Sequence, residues 1–474
     1  HTGGEAFVAK ALLELGSHMD VAKESTNDII SVVQLAWGLR VVLNSDNAAA
    51  GAAAKLAAEA KECIRRGWRA FRCIERFLDS RIFKDTSRQT VLYVFLAHTV
   101  FESLLHCQSG RELVKALRDT ASTRQIVAEP GDSNEFAGAF ASMLSLMGII
   151  FVEQPELQNT EAVANFVEYV GEDHRSYGTL IPFLGLLGAM GEASDSRRTI
   201  LQRMAMLGSS VGWDKFFLVL RDYVNIYSQA KVSGASVSTA GGTPGGQSVA
   251  DTREQMPVED AEGLIAYLRL MTRMLNCCSE AERHQMIQQL KASGKGEPVD
   301  LMFSLYKFPV PPSLKGALLE VLRSLALSPP QASQILQQIE DAEIIQTPAG
   351  SSYGVSGNAI ALAPVKDLSW QLSEVEARRE EYGETLAFVQ LLNALVNVLP
   401  RGIQTSARLH RYTYFVRTQV FSLYSQRMYK DQAQKWSIAT SSLELFGSHL
   451  AHFDASQLMQ TESAMNGALD STSA

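Results

Sequence analysis

The sequence predicts an all-α fold, an irregular HEAT- or armadillo-like α-helical solenoid, on three observations. Apolar residues recur at helical spacing through most of the chain, so one face after another can be buried. Short Pro, Gly and Ser clusters separate these runs, as tight turns do between neighbouring helices. Strand-like alternation is nearly missing, and only Gly354-Val-Ser-Gly-Asn-Ala-Ile-Ala-Leu-Ala363 reads as extended. There is no strict repeat period of tetratricopeptide or ankyrin type. An irregular array tolerates this, because each helix pair need match only its neighbours.

The elements follow in chain order. Residues 1–30 hold no repeat or motif landmark, and residues 1–231 as a whole form the first part of the array. Helices are predicted there over 26–44, 49–63, 66–84, 88–107, 110–127, 134–152, 158–170, 174–190, 193–207 and 212–230. Residues 232–257 then read as a flexible loop. Its Ser, Gly, Thr and Ala content, with Thr239-Ala-Gly-Gly-Thr-Pro-Gly-Gly-Gln247 at the centre, buries too little apolar surface to offset its ordering entropy. The array resumes over 258–454, with helices at 258–276, 279–292 and 297–308. Pro311 and Pro312 suit the first turn of the next helix, where a missing N–H costs nothing. Leu314, Leu318, Val321, Leu322 and Leu325 then fall on one face. Ser328-Pro-Pro-Gln331 stops that helix and starts another, with Ser328 as cap and Gln331 as its capping-box partner. Ile335, Leu336 and Ile339 give the new helix its buried face, and the two form an α-hairpin. Further helices are predicted over 367–382, 384–399, 406–428 and 430–452, before a polar tail at 455–474.

The totals exclude several function classes. A chain of 474 residues exceeds the usual size of a single core, so it holds several domains or one elongated array. Hydrophobic content of 46% and charged content of 20% are ordinary for an ordered protein. A net charge of −8 gives no overall field for nucleic acid, and no direct nucleic-acid contact is expected. Five cysteines, an odd number in a large chain, read as reduced thiols rather than a disulfide framework. No apolar run reaches the roughly 18–20 residues that a membrane helix needs. The start, His1-Thr-Gly-Gly4, has neither an initiator Met nor a signal-peptide pattern, so the chain reads as a fragment of something larger.

Catalytic motifs are weak. Gly208-Ser-Ser-Val-Gly212 fits the nucleophile elbow, with Ser210 as nucleophile, but that elbow needs a strand before it. Ile200-Leu-Gln-Arg-Met-Ala-Met-Leu207 has helical character, so a helix–helix turn is favoured over a hydrolase. Ser304-Leu-Tyr-Lys307 lacks the companion motifs of Ser-x-x-Lys enzymes. His98, His106 and Cys107 form no ligand spacing with a second half-site. Cys277 and Cys278, as helix neighbours, cannot face one ion together. Gly241-Gly-Thr-Pro-Gly-Gly246 lacks the Lys-Ser/Thr ending of a phosphate loop. No cofactor, metal or catalytic residue is expected.

One surface feature stands out. Arg65, Arg69, Arg72 and Arg76 fall at i, i+4, i+7 and i+11 on a helix read around Cys63–Arg81, as a basic stripe beside an apolar stripe of Trp68, Phe71, Ile74 and Leu78. The arginines read either as a patch for an acidic peptide, RNA or an anionic membrane, or as a solvated face whose stems cover a hydrophobic seam. The second reading is favoured. Trp37, Trp213, Trp370 and Trp436 are expected mostly in the core, and an exposed one would be a candidate hot spot for a partner.

Several pieces in collinear order resemble one known family. They are Val32-Val-Gln-Leu-Ala-Trp37, Tyr177-Gly-Thr-Leu-Ile-Pro-Phe-Leu-Gly-Leu-Leu187 and Val211-Gly-Trp-Asp-Lys-Phe-Phe217. Asp260-Ala-Glu-Gly-Leu-Ile-Ala-Tyr-Leu268, Pro311-Pro-Ser-Leu-Lys-Gly-Ala-Leu-Leu319 and Ser328-Pro-Pro330 follow. Glu374-Val-Glu-Ala-Arg-Arg-Glu-Glu-Tyr382 and the helix pair from Phe415 to Trp436 complete the series. Over most of residues 30–450 the chain resembles the largest inner-ring scaffold nucleoporins of the nuclear pore complex, in part of their length. The resemblance implies a large α-helical solenoid at the nuclear envelope that catalyses nothing. It further implies partners among the linker nucleoporins, whose short linear motifs such scaffolds capture, and a role in pore assembly and nucleocytoplasmic transport. Another HEAT-like adaptor, such as a nuclear transport receptor, and a helical hydrolase using Ser210 are the alternatives. No residue is assigned to the peptide groove, and a membrane contact stays open.

Overall fold

A computed structural model describes residues 24–45, 52–79, 89–106, 108–124, 134–158, 161–170, 177–206, 211–234, 256–345, 367–400 and 402–451. Among the described residues there is helix and no strand, as the sequence predicts. No helix among them is long and apolar enough to cross a membrane. The extended segment expected at 354–363 and most of the loop expected at 232–257 lie outside the described residues. The preceding helix runs to Gly234, so it takes in the first residues assigned to that loop.

By contact the chain divides into two units, residues 1–222 with 257–296, and residues 223–256 with 297–474. The first unit begins with α1 (Glu24–Ser45), α2 (Ala52–Arg66) and α3 (Arg69–Asp79). Next, α4 (Gln89–Phe95) runs through a π-helical segment, Leu96–Glu102, into α5 (Ser103–His106). Then come α6 (Gln108–Arg124), α7 (Asn134–Glu153), α8 (Glu161–Val170), α9 (Tyr177–Met190) and α10 (Ser194–Met204). α11 (Trp213–Gly234) contributes its first half here, and α12 (Val258–Cys277) and α13 (Glu280–Gly294) complete the unit. α1 packs on α2 and α3, α3 on α7, α7 on α9, and α9 on α12. The apolar stripes that predicted these helices form the seams between them. Met143, Met147 and Phe151 of α7, Phe183 and Leu187 of α9, and Met271 of α12 are buried. Each such side chain contributes about 1.5–3 kcal/mol on leaving water.

The second unit holds α14 (Pro298–Tyr306), α15 (Pro312–Leu325) and α16 (Pro329–Asp341). A short α17 (Leu368–Trp370) continues as a π-helical segment, Gln371–Glu376, and ends in α18 (Ala377–Arg379). α19 (Gly383–Val398), α20 (Ile403–Phe415) with its π-helical extension Val416–Phe421, and α21 (Gln432–Ala451) follow. α15 and α21 both pack on α19. The predicted stripe of α15 is buried at all five positions, Leu314, Leu318, Val321, Leu322 and Leu325. Pro311 and Pro312 stand at the start of that helix as expected.

The cap predicted at Ser328 is different. Ser328 is the N-cap residue, but its hydroxyl donates to Gln331 Oε1 at 3.1 Å instead of accepting a backbone N–H. Pro329 and Pro330 occupy the first turn and leave fewer amides to cap. A complete capping box occurs one hairpin earlier. There Ser279 Oγ accepts from the Glu282 amide, and the Glu282 carboxylate accepts from the Ser279 amide at 2.9 Å.

Candidate functional site

The arginine stripe does not survive as one face of one helix. The chain breaks at Gly67–Trp68, which leaves Arg65 on α2 and Arg69, Arg72 and Arg76 on α3. There α1 approaches closely. A Cβ at Gly67 would lie 2.7 Å from the Leu35 amide nitrogen and 2.9 Å from the Ser31 carbonyl oxygen. Arg65 is engaged with Glu62, with contacts of 2.8 and 2.9 Å, and those hydrogen bonds hold the Glu62 carboxyl below its usual range. Trp68, Phe71 and Leu78 are buried as expected, and Ile74 is half-buried. A glycine inside a helical pattern was the available signal for the break.

The remaining chemical candidates find no shared site. Ser210 lies outside the described residues, and the element leading toward it, α10, is helical rather than a strand. Ser304 Oγ donates to the Asp300 carbonyl in its own helix at 2.8 Å. His98 and His106 sit on helical segments, with their side chains and Cys107 outside the described residues. Cys277 is exposed and Cys278 buried, so the two thiols face apart. Of the four tryptophans expected mostly in the core, Trp213 is fully buried, Trp37 and Trp370 are half-buried, and Trp436 is 62% exposed on α21.

The densest polar cluster is sealed inside the second unit. Glu376 and Glu384 are fully buried. Glu376 Oε1 accepts from the Glu384 amide at 2.8 Å and the Thr385 amide at 3.3 Å, and its Oε2 accepts from the Thr385 hydroxyl. A side chain from the preceding element thus caps α19, whose own N-cap residue, Tyr382, makes no side-chain cap. Glu384 Oε1 accepts from the Tyr306 hydroxyl at 2.6 Å, with Lys315 Nζ 4.0 Å away. Burial pushes the Glu376 carboxyl up to about 7, and burial raises Glu384 as well against the pull of Lys315. Next to this cluster, the Tyr382 amide donates to Gln434 Oε1 at 2.9 Å and its hydroxyl to the Met428 carbonyl at 3.0 Å. The Tyr382 ring lies 4.7 Å from that of Tyr429. With Glu376 and Glu384 fully buried, these bonds hold helices together.

Pieces that carried the resemblance therefore meet in space. Lys315, Glu376 and Tyr382 come from two of them, and Met428, Tyr429 and Gln434 from a third. The same holds in the first unit. Tyr177 hydrogen-bonds Asp260, and its ring occupies the room a Cβ at Gly263 would need. Trp213 lies 6.5 Å from Tyr267, ring centre to ring centre.

One open feature among the described residues of the first unit is a groove of about 720 Å³ that runs over α9. α7 flanks α9 on one side and α12 on the other. Ile149, Ile181, Pro182 and Gly185 form part of its floor. Gly185 is exposed, and a Cβ there would meet nothing within 4 Å, so the floor stays low. Pro182 sits inside α9 and has no N–H, which leaves the Gly178 carbonyl without its helical donor. Arg269 and Arg273 edge the groove from α12, with Arg273 Cδ 3.2 Å from where a Gly188 Cβ would be. Glu75 of α3 and Glu153 of α7 edge it on the far side of α9. Periodicity shows which face of a helix is apolar but not which apolar faces stay uncovered, so the sequence held no signal for this groove.

The described residues are thus helical throughout, with a buried polar cluster in the second unit and an open groove in the first. A model of the family of nuclear pore complex scaffold proteins, nucleoporins 186/192/205, matches residues 159–474, and the chain belongs to that family. It is 23% identical over 406 residues to nuclear pore complex protein NUP205 of Arabidopsis thaliana, covering 81% of this chain and 19% of that protein. It is 27% identical over 320 residues to Nup205 of Homo sapiens, covering 64% of this chain and 15% of that protein. With Nup205 of Drosophila melanogaster it shares 24% identity over 259 residues, which are 52% of this chain and 11% of that protein. The chain thus spans about a fifth or less of the length of these relatives. The resemblance read from the collinear pieces is borne out, and with it a scaffold role at the nuclear pore complex of the nuclear envelope.

Proposed function

We propose that this chain serves the nuclear pore complex as an inner-ring scaffold segment that holds its helices in fixed register and captures short linear motifs of linker nucleoporins. Through that capture it supports pore assembly and nucleocytoplasmic transport. What carries the reading is the groove over α9, an uncovered apolar floor on a helical stack of a scaffold family. Stacked helices bind peptides on such surfaces, where an amphipathic segment lays its apolar side between charged edges. The chain acts by binding and not by catalysis. Family membership favours this over a nuclear transport receptor and over a hydrolase using Ser210.

The test is to pass the folded chain over immobilised linear segments of linker nucleoporins, each beside its scrambled control. Saturable binding to a segment, abolished when its apolar residues are replaced, is the expected result. A folded chain that binds no segment better than its scramble defeats the peptide-capturing role and leaves only the architectural one.

A further inference from the structure

Given the peptide-capturing role proposed above, on which this rests, we infer that the groove over α9 takes an amphipathic segment that is acidic along one edge and basic along the other. Arg269 and Arg273 are exposed and one turn apart on α12, so they point the same way. Neither makes an ion pair or a side-chain hydrogen bond among the described residues. Glu75 and Glu153, across α9, likewise form no ion pair among the described residues. Two positive charges from α12 and two negative ones from α3 and α7 thus line one groove, whose floor includes Ile149, Ile181, Pro182 and Gly185.

That arrangement discriminates among occupants. A nucleic-acid backbone or an anionic bilayer would gain from the arginines but be repelled by the two carboxylates on the other edge. An uncharged apolar segment would draw all four charges out of water without partners. A segment with acids on one flank and a base on the other satisfies both edges and is fixed in orientation by them.

A random peptide library of about 16 residues, roughly 24 Å long as a helix, is selected on the full chain, and each enriched peptide is then assayed on Gly185→Trp. A side chain at Gly185 enters open space, so that variant fills the groove without entering the core, and far-UV circular dichroism verifies its fold. The expected peptides lose capture by Gly185→Trp and carry Asp or Glu beside their apolar residues. Binding of the strongest one falls about tenfold or more with Arg269→Glu and Arg273→Glu together. Exchange of the peptide's acids for lysines restores it. Peptides that bind the chain and Gly185→Trp alike would overturn the groove as the site while peptide capture stands. Groove-dependent peptides with no acidic preference would overturn the charge assignment. No enriched peptide at all would overturn both this and the peptide-capturing role.

Discussion

Two sets of charged groups, one in each unit, are held in opposite ways. In the first, Glu75, Glu153, Arg269 and Arg273 stand around an open floor and make no ion pairs among the described residues. In the second, Glu376, Glu384 and Lys315 are folded into the interior, where amides and a hydroxyl answer Glu376, the Tyr306 hydroxyl answers one oxygen of Glu384, and Lys315 lies near that same oxygen. Charge at a surface contributes little to stability but remains available to a partner. Charge in an interior is costly unless every lone pair is matched, so it dictates which helices meet. One region is thus suited to recognition and the other to register, although both are built from similar amphipathic helices.

The largest effect should come from breaking the interior cluster. Glu376→Ala strands two backbone amides and a hydroxyl, and should destabilise the second unit by about 3–5 kcal/mol. Arg269→Ala at the groove should change stability by less than about 0.5 kcal/mol. Urea titrations of both variants measure the contrast, and equal losses would erase it.

The next effect is a pH dependence. Burial, aided by Glu384 and opposed by the bonds to Thr385 and Glu384, keeps the Glu376 carboxyl up at about 7. The folded chain then holds a proton that the unfolded chain has already lost, so stability falls as pH rises from about 4.5 to about 7. The loss is on the order of 1–3 kcal/mol. Tyr306, Lys315 and Glu384 face the same cluster, and the raised Glu384 carboxyl contributes a slope of the same sign. Glu376→Gln keeps the acceptor oxygen and removes the titration. Its stability should change less than the parent's between pH 5 and pH 8 in urea titrations (roughly the span on either side of the shifted carboxyl). An unchanged slope would mean the carboxylate is already ionised at low pH.

Two glycines sharpen the comparison within the first unit. Gly67→Ala drives a Cβ into the backbone of α1 and should destabilise by about 1–3 kcal/mol. Gly185→Ala enters open space in a helix interior and should stabilise by about 0.5–1 kcal/mol. Thermal melts of the two variants should therefore shift in opposite directions.

The helices were legible because burial of one face imposes a period, and Leu314 to Leu325 shows how directly that period becomes a seam. Proline at a helix start, as at Pro312, was legible for an equally local reason. What escaped depends on neighbours distant in sequence. The close approach of α1 that requires a glycine at 67 is not recorded in the local sequence. The π-helical segments at Leu96–Glu102, Gln371–Glu376 and Val416–Phe421 were expected as continuous α-helix. One residue more per turn leaves no mark in an apolar pattern. The groove escaped for the same reason, since an uncovered face and a covered one have the same sequence. The interior carboxylates are recorded in the sequence as Glu376 and Glu384, but nothing local distinguishes them from solvated glutamates.

The Glu376 cap has a further consequence for motion. The first amides of most helices fray independently, because water replaces their caps easily. The Glu384 and Thr385 amides are held by a side chain that belongs to another helical segment. They can therefore open to solvent only when Gln371–Glu376 detaches. In hydrogen–deuterium exchange the start of α19 and the segment before it should protect and release their amides as a single cooperative unit.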